Sequence, residues 1–116
     1  MKLYISTATH THIVLELRSG NNVLLRKEIE AAHRQAEKLL PELEMMLKKI
    51  KKKLSDIKEI IVENKGEGFT ALRIGVCTAN ALSYALSVPL RTPTQGKVTI
   101  AEPKYSKAPT ITKKKN

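Results

Sequence analysis

The apolar residues of this chain change period at Ala32 and change back before Ile57, and that switch constrains its architecture more than any other feature. Lys2 to Thr7 and Ile13 to Leu17 alternate or run apolar with β-branched residues, and Asn22 to Ile29 repeats the pattern after the turn cluster Ser19-Gly20-Asn21. Three short antiparallel strands are expected. From Ala32 the spacing becomes helical, through Ala36, Leu39, Leu40, Leu43, Met46, Leu47, Ile50 and Leu54. At 100° per residue these positions form a stripe about 120° wide, as on a helix lying against a sheet. Pro41 falls inside that helix and should kink it, because its ring opposes the carbonyl of Glu37 and it has no N–H to donate.

Ser55-Asp56 ends the lysine-rich turn, and Ile57 to Val62 is short, apolar and β-branched, as suits a central parallel strand. A glycine loop, Lys65-Gly66-Glu67-Gly68-Phe69, leads into a second helix from about Thr70 to Leu86, and Val88 to Arg91 reads as a last strand. Beyond Thr92, Pro93, Gln95, Gly96, Pro103 and Pro109 with terminal lysines read as an irregular basic tail. The expected organisation is one domain over residues 1–92 and a tail over 93–116. The order β-β-β-α-β-α-β, an α/β arrangement with a mixed five-stranded sheet and two main helices, is that of the ribonuclease-H-like unit. A chain of 116 residues supplies one modest core and not two.

The net charge of +10 comes from 21 Lys+Arg against 11 Asp+Glu. Its location matters more than its size. Residues 48–58 hold six lysines and one Asp, and residues 104–115 hold five lysines and no acid, so the rest of the chain is balanced. The apolar stretch from Phe69 to Leu90 contains Arg73, Asn80, Ser83 and Tyr84, which fits a buried helix plus a strand better than a membrane span. Cys77 has no cysteine to pair with, and residues 1–20 lack the pattern of a secretory signal, so a cytoplasmic location is expected.

No catalytic constellation emerges. His10 and His12 alternate on a strand, and with His33 and Cys77 they match no metal-ligand spacing. A two-metal nuclease would need carboxylates on the first and fourth strands, whereas the first has none and Glu63 stands alone at the end of the fourth. Cys77 lies in an apolar helix and reads as packing rather than a reactive thiol. No catalytic residue, metal or cofactor is expected.

The second helix says more. Its polar residues Arg73, Asn80, Ser83 and Tyr84 occupy roughly 100° of the wheel, leaving an apolar or small arc too wide for one sheet to cover. Ala71, Gly75, Thr78, Ala79 and Leu82 cluster on part of that arc, where another helix can approach closely. The other reading, equally weighted, buries the same face within the domain between the sheet and the first helix.

Gly66-Glu67-Gly68-Phe69-Thr70-Ala71-Leu72-Arg73-Ile74-Gly75, after Leu54-Ser55-Asp56-Ile57 and a short strand, resembles the G-P-G-S-F-T-G-L-R-I-G signature of the TsaB (YeaZ) family. His33 with Leu39-Leu40-Pro41 resembles that family's H-x-x-x-L-L-P helix, and Ala79 to Leu90 its A-x-G-L-A-x-x-x-x-x-P-L run. Glu102 to Thr112 resembles its P-x-Y-x-R-x-P end. The resemblance implies an actin-like ATPase fold and a non-catalytic subunit. Such a subunit pairs with TsaD, alongside TsaE, in threonylcarbamoylation of the adenosine beside the tRNA anticodon. Proteins of that family carry two such domains, and the resemblance here covers one. Their first strand commonly reads I-D-T-S, against Ile5-Ser6-Thr7-Ala8 here; a hydroxyl is a poor Mg²⁺ ligand in place of a carboxylate. Glu67 in the glycine loop also disfavours a phosphate.

The implied partner contact uses Ala71, Gly75, Thr78, Ala79 and Leu82 with Leu40 and Met45 of the first helix. On that reading Gly75→Leu should abolish pairing and leave a folded monomer. Lys48, Lys49, Lys51, Lys52 and Lys53, with Lys113, Lys114 and Lys115, read either as solvated charge at a helix end or as contacts to tRNA phosphates. Two rival functions follow: a stand-alone basic RNA-binding module, and a homodimer built on the same apolar helix.

Overall fold

The computed structural model describes residues 1–9, 11–66 and 69–105. Its sheet grows from the first strand outward. β1 (Lys2–Ser6) pairs antiparallel with β2 (His12–Ser19), placing Leu3 opposite Leu17 and Ile5 opposite Leu15. A two-residue turn with Gly20 at φ 59° leads to β3 (Asn22–Glu30), antiparallel to β2. The register slips between Leu17 and Arg18, which face Leu25 and Val23 and leave Leu24 as the extra residue of a bulge.

α1 (Gln35–Lys49) is shorter at both ends than its apolar stripe. His33, at φ 61°, belongs to the preceding turn, and Lys51, at φ 58°, has already left the helix. Gln35, Leu39, Leu43, Met46 and Leu47 face inward. Pro41 lies on the exposed side, and the helix continues through it.

A short 3-10 turn (Leu54–Asp56) precedes β4 (Glu59–Val62), which runs parallel to β1 with Leu3 opposite Ile60 and Ile5 opposite Val62. The two-residue strand β5 (Lys65–Gly66) precedes α2 (Phe69–Leu86), and β6 (Leu90–Thr92) then returns parallel to β4. β7 (Gly96–Val98) folds back antiparallel to β6, making the sheet order β3-β2-β1-β4-β6-β7. The mixed α/β sheet with two helices is therefore present, with six strands rather than five. The extra strand comes from the segment expected to be irregular.

Both helices cover one face. Leu3, Ile5, Ile13, Leu15, Leu17, Ile60, Val62 and Leu90 point into them and are essentially inaccessible to solvent. α2 packs on β1, β4 and β6, and α1 packs on β2 and on α2. The opposite face carries Val14 and Ile61 among mainly polar residues, several of which pair with one another. Glu16 accepts from Arg18 at 2.8 Å and Arg26 at 3.2 Å, Arg91 meets Glu59 at 2.7 Å, and Arg18 lies 4.7 Å from the Tyr4 ring centre.

Candidate functional site

In an open sheet with parallel strands, ligands bind beyond the carboxyl ends of those strands. Here that edge carries Ser6 and Thr7 after β1, Glu63 and Asn64 after β4, and the start of α2. Gly66 approaches so closely that a Cβ on it would stand 2.5 Å from the Ala8 carbonyl oxygen and 2.8 Å from Ala8 Cα. The site of the I-D-T-S carboxylate is held by Ser6, whose Oγ accepts the Ala8 N–H at 3.3 Å. Glu63 turns its carboxylate to the Lys65 N–H at 3.3 Å. Glu67 and Gly68 lie outside the described residues.

The chain itself occupies this edge. β8 (Lys104–Tyr105) runs parallel to β5, pairing Lys104 with Lys65 and Tyr105 with Gly66. Buried Asn64 donates its side-chain amide to the Glu102 carbonyl at 2.9 Å, and its backbone carbonyl accepts the Lys104 N–H at 2.6 Å. Upstream, Asn80 grips the Ala101 peptide from both sides, donating to its carbonyl at 2.9 Å and accepting its N–H at 2.8 Å. Ala101 is buried, so the segment after residue 92 is part of the packed structure as far as the description extends.

The small face of α2 divides. Ala71, Gly75 and Ala79 are buried, which corrects their assignment to a partner-facing surface. The reason is steric: a Cβ at Gly75 would overlap Thr7 Oγ1 and stand 3.1 and 3.2 Å from Thr7 Cγ2 and Cβ. Gly75→Leu is therefore a core substitution and no clean probe of pairing. Thr78 and Leu82 are half-buried at the margin. The outward surface is Thr70, Arg73, Cys77, Ala81, Tyr84 and Ala85, with Ile74 partly exposed. Cys77 is thus exposed, contrary to the packing role expected. Thr78 donates its hydroxyl to the Ile74 carbonyl at 2.7 Å and has no need of a partner for it. Asn80 and Ser83, assigned to a polar flank, make internal bonds; Ser83 Oγ donates to the Val88 carbonyl at 2.7 Å.

On α1, Leu40 and Met45 are 46% and 51% exposed. They do not share a surface. Five residues apart on a helix means about 140° apart in direction. Met45 lines a hollow with Leu25, Arg26, Lys27, Met46 and Lys49 on the β3 side. Lys27 on that same side is bound to Glu42 at 2.7 Å. Leu40 is on the opposite flank, the one toward α2.

Lys48, Lys49, Lys51, Lys52 and Lys53 are all exposed at the junction between α1 and β4, on the end of the sheet opposite the occupied edge. Lys113, Lys114 and Lys115 lie outside the described residues, as does His10. His12 Nδ1 shares a hydrogen bond with Thr11 Oγ1 at 2.8 Å. Among the described residues no three His, Cys, Asp or Glu side chains gather as a metal site would require. No described helix is long and apolar enough to cross a membrane.

Two structures from Pseudomonas aeruginosa share this fold. One is YeaZ and the other is described as an uncharacterized protein with similarity to peptidase YEAZ. Each is 25% identical with a TM-score of 0.68 over 78% of this chain, which spans 42% of the first and 41% of the second. No curated protein matches the chain. The family model "TsaD: tRNA N6-adenosine threonylcarbamoyltransferase" matches residues 27–111. That span takes in both helices, the glycine loop and the returning strand, so the chain belongs to the TsaD family and is TsaB/YeaZ-like within it.

Proposed function

We propose that this chain is a non-catalytic, TsaB-like subunit that pairs with a TsaD-type protein and supports threonylcarbamoylation of the adenosine beside the tRNA anticodon. The observation that carries this reading is the outward face of α2. Ile74, Cys77, Thr78, Ala81 and Ala85, with Leu40 alongside, form a small-residue surface that is largely apolar and also carries Arg73 and Tyr84. Small side chains allow a second helix pair to approach closely. The cleft edge supports the same reading, since the chain's own Lys104 and Tyr105 pair with Lys65 and Gly66 of the glycine loop that a nucleotide would approach, and Asn80 holds Ala101 just upstream.

The test is light scattering after size exclusion, on this protein alone and mixed with the TsaD-type protein from the same source. A stable heterodimer is expected. Ala81→Arg places a charged side chain on an exposed position of α2, so it should abolish pairing and leave the monomer's thermal midpoint unchanged. Unaltered pairing by that variant would remove this face from the proposal. Self-association without any TsaD complex would favour the homodimer.

A further inference from the structure

The lysines that follow α1 exceed what a helix end requires. α1 closes with the Lys52 N–H donating to the Leu47 carbonyl at 2.9 Å and the Lys51 N–H to the Lys48 carbonyl at 3.1 Å. This is a Schellman turn, which satisfies the Leu47 and Lys48 carbonyls with backbone alone. The ammonium groups are therefore not needed to cap those two carbonyls. The left-handed position of the turn is Lys51, at φ 58°, where glycine would carry no Cβ penalty.

The charge is also unspent. None of Lys48, Lys49, Lys51, Lys52 or Lys53 forms an ion pair among the described residues. Asp56, the one acid in residues 48–58, uses its carboxylate to accept the Lys53 N–H at 2.8 Å. Lys48, Lys52 and Lys53 converge with Leu47 and Leu54 on a hollow of about 310 Å³ that is also lined by Glu44.

We propose that this lysine elbow binds the phosphodiester backbone of structured RNA. A concave cluster of unpaired cations suits closely spaced phosphates. Residues 40–58 contain no aromatic side chain on which a base could stack, so the contact positions RNA without reading sequence. The choice of RNA among polyanions rests on the proposed role in tRNA modification. The elbow lies at the amino end of β4, away from the glycine loop, so RNA held here leaves the loop edge and the outward face of α2 free.

The experiment is fluorescence anisotropy with a labelled tRNA transcript and the full chain, between about 50 and 200 mM salt. Its variant combines Lys48→Gln, Lys51→Gln, Lys52→Gln and Lys53→Gln. Across that salt range the wild type should lose roughly a hundredfold more affinity than the variant, the difference that four phosphate contacts make. A second variant, Lys51→Gly, should raise the thermal midpoint while weakening binding, which a merely structural lysine would not do. An unchanged salt dependence in the quadruple variant overturns the proposal. So does loss of binding on changing only Lys113, Lys114 and Lys115 to Gln, or binding to phosphatidylserine vesicles without binding to tRNA. Light scattering with the TsaD-type protein separates the two readings. The elbow variant should still pair. If even the wild type fails to pair yet tRNA binding follows these lysines, the scaffold role falls and the elbow stands.

Discussion

Gly75→Ala tests how α2 is seated. The new Cβ overlaps Thr7 Oγ1 and lies 3.1 and 3.2 Å from Thr7 Cγ2 and Cβ, so either Thr7 or the helix must move. Overpacking of this kind costs about 1–3 kcal/mol. Against it stands the gain of about 1 kcal/mol from replacing glycine by alanine inside a helix. The net expectation is destabilisation by roughly 0–2 kcal/mol, from these two effects combined. The Thr7→Ala background removes Oγ1 and Cγ2 and leaves only the 3.2 Å contact with Cβ. It also removes a buried hydroxyl that has no hydrogen-bond partner, which offsets much of the lost methyl. In that background Gly75→Ala should become neutral or stabilising by up to about 1 kcal/mol, as helix propensity takes over. Urea titrations followed by circular dichroism on the four proteins of this cycle give a coupling of about 1–3 kcal/mol if Thr7 is the obstacle. Equal effects of Gly75→Ala in both backgrounds would refute the steric argument.

The tail and the open sheet face provide further tests. Asn80→Ala strands the N–H and carbonyl of Ala101, so it should destabilise by about 2 kcal/mol and speed proteolysis within residues 99–105, read by urea midpoint and fragment mass. Protection equal to wild type would mean that the clasp is incidental. Burial, with the Glu63 and Glu16 carboxylates, raises the Tyr4 hydroxyl above its ordinary value of 10.0 against the opposing influence of Ser6 and Arg18. The unfolded chain therefore loses this proton first. Stability is fully present below pH 10 and falls as pH rises through the higher folded value, and Tyr4→Phe should flatten that fall in melts taken from pH 9 to 12.

Much of this molecule can be read from its residues, for physical reasons that differ between elements. The first three strands alternate cleanly because one face of the sheet is buried and the other is wet, and that pattern survives in Leu3, Ile5, Ile13, Leu15 and Leu17. β7 and β8 carry no such pattern. Gly96–Val98 becomes a strand because β6 has a free edge, and Lys104–Tyr105 because Asn64 and Asn80 hold the chain beside β5. Such contacts join residues far apart in sequence and have no local signature. The choice between the two readings of α2 needed the structure for a related reason. An arc that is apolar over most of its circumference does not say which part faces inward; the buried part is the one that seats Gly75 against Thr7 and puts Leu72, Val76 and Ala79 in the core. The early end of α1 was hidden because a lysine, not a glycine, takes the left-handed position at residue 51.

The strand order has a consequence for synthesis. β1 lies inside the sheet, with β2 and β3 on one side and β4, β6 and β7 on the other. As β1 to β3 emerge from the ribosome, their meander can close through short-range pairings. The other edge of β1 then has no partner from the end of β3 at Glu30 until β4 begins at Glu59, across a segment that α1 must first compact. The last clasp, at Asn64 and Asn80, forms only after residue 105 is free of the exit tunnel. Assembly thus runs outward from β1 in two directions at different times, and during the interval the nascent chain displays an unpaired apolar strand edge to chaperones and to its neighbours.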